Sequence, residues 1–224
     1  MTLFNRSCAT QMELFNYFRS SASFRVRIAL ALKGLDYTYT PVHLAAGEHL
    51  RESYATVSAS RLVPTLREDS GSLLTQSLAI IEYLEEIHPE PALLPKEALA
   101  RARVRALAYD VACEIHPINN LRVLRYLTAD LKLSEGDKNR WYQHWVESGL
   151  SVVERQLAGH PSTGRFCHGD SPTMADITLV PQIFNAKRFE CRLDHVPTVM
   201  RIFEQCMGLA AFSQAQPSAC PDAQ

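Results

Sequence analysis

The sequence predicts a chain of two parts, a small α/β domain followed by an all-α domain. From residue 12 to residue 87, short β-prone runs alternate with helical stretches, whereas helical periodicity dominates after residue 95. Three prolines within residues 88–95 predict a stiff, helix-free connector between the two parts. We therefore expect domains at residues 12–93 and 94–224, preceded by an extension at residues 1–11.

The first helix follows a run of serines. Residues 12–17 form a short, mostly apolar run of strand length, and residues 26–34 have helical spacing that ends at a glycine. Ser20, Ser21 and Ser23 lie between them, at a helix N-terminus where unpaired backbone N–H groups favour an anion. Such serines either cap the helix or direct a hydroxyl at a bound thiolate or oxyanion. This stretch alone leaves both interpretations open.

Further strands complete the predicted small domain. Alternation and β-prone composition predict strands over residues 36–44, 62–66 and 72–75. A short helix is expected within residues 48–54, and an apolar stripe predicts a longer one over residues 77–87. A parallel first pair of strands needs a crossover helix, and the last two strands are close enough for a hairpin. The sheet should therefore be mixed.

Two places in this domain are suited to an extended anionic ligand. A cis bond before Pro64 would expose the backbone of Val63, although the sequence does not determine the isomer. Ser77 is a good N-cap for the helix that it begins, and its hydroxyl and the first helix N–H groups would also suit a carboxylate.

The second domain should be a set of helices. The predicted helical stretches are residues 97–131, 137–157, 173–184 and 199–209. Pro117 lies inside the first stretch and predicts a kink or a break near residues 114–116. Thr173 and Asp176 have capping-box spacing at the start of an apolar helix. The small polar residues and prolines of residues 214–224 predict a loose tail.

Composition argues against several classes of function. The net charge of -1 and the pI near 6.7 give no overall attraction to nucleic acid or to a membrane surface. No apolar run approaches the roughly 18 residues of a membrane span, and residues 1–11 lack the apolar centre of a signal peptide. The six cysteines have no C-x-x-C pair and no metal-ligand spacing. We therefore expect a cytoplasmic protein with reduced thiols, no metal, no membrane partner and no nucleic-acid partner.

Five motifs together resemble the zeta class of glutathione transferases. They are Phe18-Arg19-Ser20-Ser21-Ala22-Ser23-Phe24-Arg25-Val26-Arg27, Val63-Pro64, Gln76-Ser77-Leu78-Ala79-Ile80, Ile115-His116-Pro117-Ile118-Asn119-Asn120-Leu121-Arg122 and Thr173-Met174-Ala175-Asp176. They occur in family order across both predicted domains. Within the class, the chain is most similar to bacterial maleylacetoacetate isomerases, with the glutathione-dependent maleylpyruvate isomerases as close relatives. The resemblance implies a glutathione transferase fold, with a thioredoxin-like N-terminal domain and an all-α C-terminal domain, and a homodimer that binds glutathione.

The resemblance also implies which residues bind glutathione. Val63, before the cis proline Pro64, would pair its backbone with the cysteinyl part. Gln76 and Ser77 would hold the γ-glutamyl carboxylate. The segment containing His116 and Asn120 would lie beside the bound tripeptide, and Arg61 could reach the glycine carboxylate.

Ser20 takes the place of the family's catalytic serine, with Ser21 as its neighbour, and Ala22 stands where the family has cysteine. The nucleophile is a thiolate, which a serine hydroxyl and a helix N-terminus favour. We expect this thiolate to add reversibly to the cis double bond of a maleyl dicarboxylate and so to allow rotation to the trans product.

A dicarboxylate substrate and its enolate need cations, and three arginines are candidates. Arg19 adjoins Ser20, Arg122 shares the segment of His116, and Arg188 lies in a stretch like the family's. Guanidinium groups bind carboxylates bidentately and stabilise developing negative charge. By contrast, we expect Arg25 and Arg27, on the first helix, to make structural contacts.

Two other functions remain open on the sequence. One is a broad glutathione transferase or peroxidase for apolar or halogenated acids, which would depend little on the arginines. The other is a non-catalytic glutathione-binding module, which fits poorly with Ser20 in a glutathione-site context.

Overall fold

The computed structural model describes residues 12–223, so the predicted extension at residues 1–11 lies outside the described residues. Four short strands form one sheet in the first part of the chain. They are β1 (Glu13–Asn16), β2 (Thr38–Pro41), β3 (Thr65–Arg67) and β4 (Leu73–Thr75). Their order is β2-β1-β3-β4; β1 pairs parallel with β2 and antiparallel with β3, and β3 pairs antiparallel with β4. The predicted mixed sheet is confirmed, with each strand shorter than the run that predicted it.

Helices cover the sheet and make up most of the remaining chain. They are α1 (Ser21–Leu32), α2 (Glu52–Ala55), α3 (Ser77–Ile87), α4 (Ala98–Tyr109), α5 (Leu121–Arg125), α6 (Glu135–Leu157), α7 (Met174–Arg188), α8 (Pro197–Met207) and α9 (Ala210–Ser213). Single 3₁₀ turns lie at Glu48–Leu50, Pro117–Asn119 and Pro217–Ala219. None of the helices between residues 12 and 223 combines the length and the apolar character that crossing a bilayer requires.

The predicted long helix over residues 97–131 is wrong in length, because the chain there is interrupted twice. Beyond α4 the helix widens into π-type turns at Asp110–Ile115, and the His116 N–H donates to Val111 O at 2.9 Å. The 3₁₀ turn that begins at Pro117 follows, as the predicted break requires. A second widened segment, Tyr126–Asp130, ends the region.

Close packing against α6 holds the widened segment in place. Gly149 of α6 faces Ile115, and a Cβ added to the glycine would lie 2.4 Å from Ile115 Cγ1. Only a residue without a side chain allows this approach. The segment that leads into His116 is therefore fixed by the core of the helical part.

Helix α1 is buried on nearly all sides. Ser21 and the residues from Ser23 to Leu30 are buried, and α1 packs against α3 on one side and against α7 on another. The apolar core runs without interruption from Leu14 in β1 through α1 to Val180 in α7. The helix that carries the serines is thus shared by both parts of the chain.

A buried ion pair fixes the connector between α3 and α4. Lys33 Nζ lies 2.8 Å from Glu85 Oε2 and also donates to the carbonyl oxygens of His88 and Pro91. The Glu85 carboxylate accepts the N–H groups of Leu93 and Leu94 as well. The predicted helix-free connector is present, and four of its backbone polar groups are hydrogen-bonded to this pair.

Helix α7 begins with the capping box that the sequence predicts. Asp176, which is fully buried, accepts hydrogen bonds from the N–H of Thr173 at 2.7 Å and from the N–H of Cys167 at 2.8 Å. The box fixes the start of α7, whose far end carries Arg188.

The prediction of a loose tail at residues 214–224 is wrong for residues 214–223. Arg27 Nε donates to Ala215 O at 2.9 Å, and Cys220 is buried. Asp222 accepts a short hydrogen bond from Tyr39 Oη and one from the Phe18 N–H at 3.4 Å. Contacts distant in sequence therefore order a segment whose composition is that of a coil.

Candidate active site

The turn of Ser20 and Ser21 that leads into α1, here called the serine turn, combines helix capping with free hydroxyl protons. Ser20 is the N-cap of α1, and its Oγ accepts the Ser23 N–H at 3.2 Å. Ser21 is buried, and its Oγ accepts Asn185 Nδ2 from α7 at 2.6 Å. Each hydroxyl uses a lone pair in these bonds, and neither O–H donates to a residue within 12–223. Capping and donation to a ligand are thus compatible, so the two interpretations of the serines do not exclude each other.

The loop that leads into β3, an inner strand of the sheet, contains a cis peptide bond. The Val63–Pro64 bond is cis, and both residues are buried immediately before β3. The preceding carbonyl, Leu62 O, accepts Tyr54 Oη at 2.8 Å and Ser58 Oγ at 3.2 Å. The loop before the cis bond is therefore held by side chains of the preceding segment.

The start of α3 differs from the prediction by one residue. Gln76, and not Ser77, is the N-cap, and its side chain makes no capping hydrogen bond. Gln76 is exposed and has φ 69°, a left-handed backbone that costs a residue other than glycine on the order of 1 kcal/mol or more. Ser77 is buried, and its Oγ accepts Arg25 Nη1 at 3.3 Å. The first N–H groups of α3 are consequently left without a side-chain cap.

His116 and Asn120 lie on the turn that joins the widened segment to α5. Asn120 Oδ1 caps α5 by accepting the N–H groups of Arg122 at 3.1 Å and Val123 at 3.2 Å, and its Nδ2 donates to Pro117 O. Burial, together with the positive charges of Arg25 and Arg122, lowers the pKa of His116 to about 3. His116 is therefore a neutral imidazole at physiological pH.

A cleft of about 290 Å³ opens between the serine turn, α7 and residues 214–223, here called the C-terminal segment. It is lined by Phe18, Arg19, Phe184, Asn185, Arg188, Pro217, Ser218 and Ala223. The guanidinium of Arg19 lies over the Phe18 ring and that of Arg188 over the Phe189 ring, at 4.9 and 5.4 Å from the ring centroids. Both arginines are exposed, and neither forms an ion pair within residues 12–223. Two cations therefore face one small cleft, and Ser20 follows one of them, Arg19, in the chain without being among the residues that line the cleft.

The other candidate arginines lie elsewhere. Arg122 is exposed on α5 and is not among the residues that line the cleft. Arg61 donates to Leu50 O at 2.7 Å and pairs with Glu52 on the surface. The structure thus brings together Arg19 and Arg188 but places Arg122 and Arg61 apart from them.

Sequence reasoning missed several residues at this site. Asn185 anchors Ser21, and the only sequence signal for it is its place three residues before Arg188 on the same helix. Pro217, Ser218 and Ala223 form one wall of the cleft, and nothing in their composition indicates it.

Glutathione fits the polar groups that the structure leaves unused. The tripeptide carries a thiol and two carboxylates, and thus needs donors near a helix N-terminus. The Ser20 and Ser21 hydroxyl protons, the uncapped start of α3 and the buried Nε and Nη2 atoms of Arg25, which lack partners among the described residues, are such donors.

Comparisons with known proteins agree with this geometry. The family model of the glutathione S-transferase N-terminal domain matches residues 19–87, and that of the C-terminal domain matches residues 139–212. A probable maleylacetoacetate isomerase of Vibrio cholerae is 45% identical over 94% of this chain and 97% of the relative. A maleylpyruvate isomerase of a Ralstonia species is 47% identical over 94% of this chain and 99% of its own length.

Solved structures lead to the same family. The holo structure of a bacterial zeta-class maleylpyruvate isomerase has a TM-score of 0.92 and 45% identity, covering 95% of this chain and 100% of that one. The maleylacetoacetate isomerase of Anaeromyxobacter dehalogenans, solved with glutathione in its active site, has a TM-score of 0.86 and 44% identity, covering 96% and 98%. The predicted fold class and the predicted cofactor are confirmed, and the chain belongs to the zeta class of the glutathione transferase family.

Proposed function

We propose that this protein is a glutathione-dependent cis–trans isomerase that converts maleylacetoacetate to fumarylacetoacetate. The observation that carries the proposal is the small cleft that is lined both by Arg188 and by Arg19, the residue that precedes Ser20 in the chain. A dicarboxylate needs two cations, whereas an apolar transferase substrate needs none. Maleylpyruvate is the second candidate substrate, because relatives of similar identity carry either name.

The chain's own residues supply positioning and electrostatics. When bound, glutathione supplies a thiolate that adds reversibly to a conjugated double bond. Ser20 donates its free O–H to the sulfur, and the N-terminus of α1 favours the negative charge. Ser21, held by Asn185, keeps the turn in place. Arg19 and Arg188 bind the substrate carboxylates and stabilise the negative charge that develops on its carbonyl oxygen.

The remaining assignments concern glutathione itself. Val63, with the cis bond to Pro64, presents its backbone to the cysteinyl part. Gln76 and Ser77, at the uncapped start of α3, hold the γ-glutamyl carboxylate. The segment of His116 and Asn120 lies beside the tripeptide, with His116 uncharged, and Arg122 adds positive charge near it.

We further propose a cytoplasmic homodimer with a domain boundary between residues 93 and 94. Glutathione is abundant in the cytosol, where thiols stay reduced, and Cys113, Cys167, Cys191, Cys206 and Cys220 are all unpaired. On α4, the apolar side chains of Leu99 and Tyr109 are 78% and 43% exposed, and a second copy of the chain would cover them. Analytical ultracentrifugation tests the assembly.

The decisive experiment measures isomerisation of maleylacetoacetate and of maleylpyruvate, each with and without glutathione. Turnover that requires glutathione establishes the reaction, and the ratio of the two kcat/KM values identifies the preferred acid. Glutathione binding without turnover of either acid would contradict the proposal and favour a transferase acting on halogenated acids.

A further inference from the structure

Helix α1 carries two buried arginines with opposite surroundings. Arg25 and Arg27 are each 2% exposed. Arg27 donates to Ala215 O at 2.9 Å, to Asn16 Oδ1 at 3.0 Å and to Phe18 O at 3.0 Å, with a longer contact to Tyr17 O. The guanidinium N–H groups of Arg27 are hydrogen-bonded within the fold, so Arg27 has a structural role.

Arg25 has no comparable set of acceptors. Its hydrogen bond goes from Nη1 to Ser77 Oγ at 3.3 Å, and neither Nε nor Nη2 has a partner among residues 12–223. No carboxylate within the described part of the chain forms an ion pair with it. A buried guanidinium without a counter-ion and with unpaired N–H groups lowers the free energy of unfolding, so folding alone does not account for Arg25.

The groups around Arg25 do not neutralise its charge. Burial lowers the pKa of Arg25 to about 10, so the group remains protonated at neutral pH. Its positive charge in turn contributes to the lowered pKa of His116, which is held neutral beside it. The Cys113 thiol is the other titratable neighbour. The surroundings thus favour an added negative charge.

The single contact of Arg25 indicates where that charge would lie. Ser77 Oγ accepts from the guanidinium, so the Ser77 O–H is free to donate to another group. Ser77 is also the first residue of α3, whose N-terminal N–H groups have no side-chain cap. A buried cation, a hydroxyl donor and a helix N-terminus therefore meet at one point of the fold.

We propose that Arg25 is a positioning residue for glutathione. The γ-glutamyl α-carboxylate bound at Ser77 would supply the negative charge that no carboxylate of the described residues gives to Arg25. This inference rests on the proposed function, in which Ser77 holds that carboxylate. Arg25 acts through Ser77: it fixes the hydroxyl as a donor and adds a desolvated positive charge behind it.

Two peptides test which group of the ligand Arg25 serves. 4-Aminobutyryl-cysteinyl-glycine lacks the α-carboxylate of glutathione, and glutaryl-cysteinyl-glycine lacks only the α-amino group. Calorimetric dissociation constants are measured for these peptides and glutathione with the wild-type protein and with Arg25→Gln. We expect the wild type to prefer glutathione over the peptide without the carboxylate by about 10- to 100-fold, as a charge-assisted hydrogen bond implies. Arg25→Gln should lose at least about tenfold of this preference.

A purely structural role gives a different result. Arg25→Gln would then weaken all three peptides equally and leave their ratios unchanged, which would overturn the proposal. Equal binding of glutathione and the peptide without the carboxylate by the wild type would overturn it as well. These ratios do not depend on isomerisation, so a failure of the proposed reaction is recognised separately, as glutathione binding without turnover.

Thermal unfolding of ligand-free protein gives a second, independent readout. Replacing an uncompensated buried charge by an apolar side chain of similar length is neutral or stabilising, whereas removing a satisfied one is destabilising. Arg25→Met should therefore keep or raise Tm while weakening glutathione binding, and the matched variant Arg27→Met should lower Tm. An equal fall of Tm in both variants would mean that a partner subunit or an ordered water already compensates Arg25, and would overturn the proposal.

Discussion

Asn185 Nδ2 donates a hydrogen bond to Ser21 Oγ over 2.6 Å, joining α7 to the serine turn of α1. Asn185 lies one helical turn before Arg188 on α7, so the same helix steadies the turn beside Ser20 and presents a cation to the cleft. The bond occupies a lone pair of Ser21 and leaves its proton free. The positions of the serine hydroxyls therefore depend on the helical part of the chain.

Loss of this hydrogen bond should impair thiol activation. In Asn185→Ala the serine turn loses its hydrogen bond to α7, so the pKa of the thiol of bound glutathione should rise. The value of kcat/KM should fall about tenfold, which is the effect of about one hydrogen bond. Ultraviolet absorbance of the thiolate across pH measures the pKa. In a Ser21→Ala background the same substitution should change little, and full additivity of the two variants would refute the coupling.

The arginines of the cleft should affect turnover of the dicarboxylate and not binding of glutathione. Arg188→Ala should lower kcat/KM for the dicarboxylate by about 10- to 100-fold and change the glutathione dissociation constant by less than about twofold, because only carboxylate contacts are lost. Arg19→Ala should behave alike, and Arg188→Lys should recover part of the activity. Arg192→Ala is the matched control, since Arg192 pairs with Glu147 on the surface. Equal losses for acid and glutathione would argue against the assignment.

His116 should make stability depend on pH on the acid side. Its pKa is about 3 in the folded protein, well below its ordinary value near 6.5, so the unfolded chain binds the proton more readily. The stabilisation is complete above about pH 6.5 and is lost as the pH falls towards 3. Between pH 7 and pH 5 the free energy of unfolding should drop by up to about 2 kcal/mol from this group.

Denaturant titrations at several pH values measure this dependence. His116→Gln should flatten it, and His144→Gln, at an exposed position, should leave it unchanged. A wild-type curve with the same slope as His116→Gln would show that His116 does not titrate as expected.

The C-terminal segment should control which acids the cleft accepts. Asp222→Ala removes the acceptor for Tyr39 Oη and the Phe18 N–H, so the wall formed by Pro217, Ser218 and Ala223 should loosen. We expect kcat/KM for the smaller acid, maleylpyruvate, to fall by about tenfold, with little change in glutathione binding.

Hydrogen exchange over residues 215–223 should rise in the same variant. Tyr39→Phe should reproduce part of the effect, because it removes one of the two contacts. Unchanged exchange and unchanged preference between the acids would show that Asp222 does not hold the wall.

Local patterns were enough to predict the sheet, α1 and the capping box of α7. The strands and the capping pair of Thr173 and Asp176 depend on residues close in sequence, and Pro117 lacks the backbone N–H that a continuous helix would use there. The motifs around Ser20, Val63 and Gln76 also predicted the family, because each motif is contained in a short segment of the chain.

Features that depend on distant contacts could not be predicted in this way. Residues 214–223 have the composition of a coil and are ordered by Arg27, Tyr39 and Phe18, which are far away in sequence. Ser77 has the residue type of an N-cap, but its hydroxyl is bound to Arg25 and the cap falls on Gln76. The separation of Arg122 from the cleft likewise follows from tertiary packing.

The buried pair of Lys33 and Glu85 determines what kind of motion the molecule can use. The pair binds the connector at His88, Pro91, Leu93 and Leu94, and Leu93 O also accepts the N–H of Met174 at the start of α7. Such a connector is rigid and cannot serve as a hinge, because bending it would break a desolvated ion pair. The two parts of the chain should therefore not swing apart during turnover, and substrates must enter by movements at the rim of the cleft.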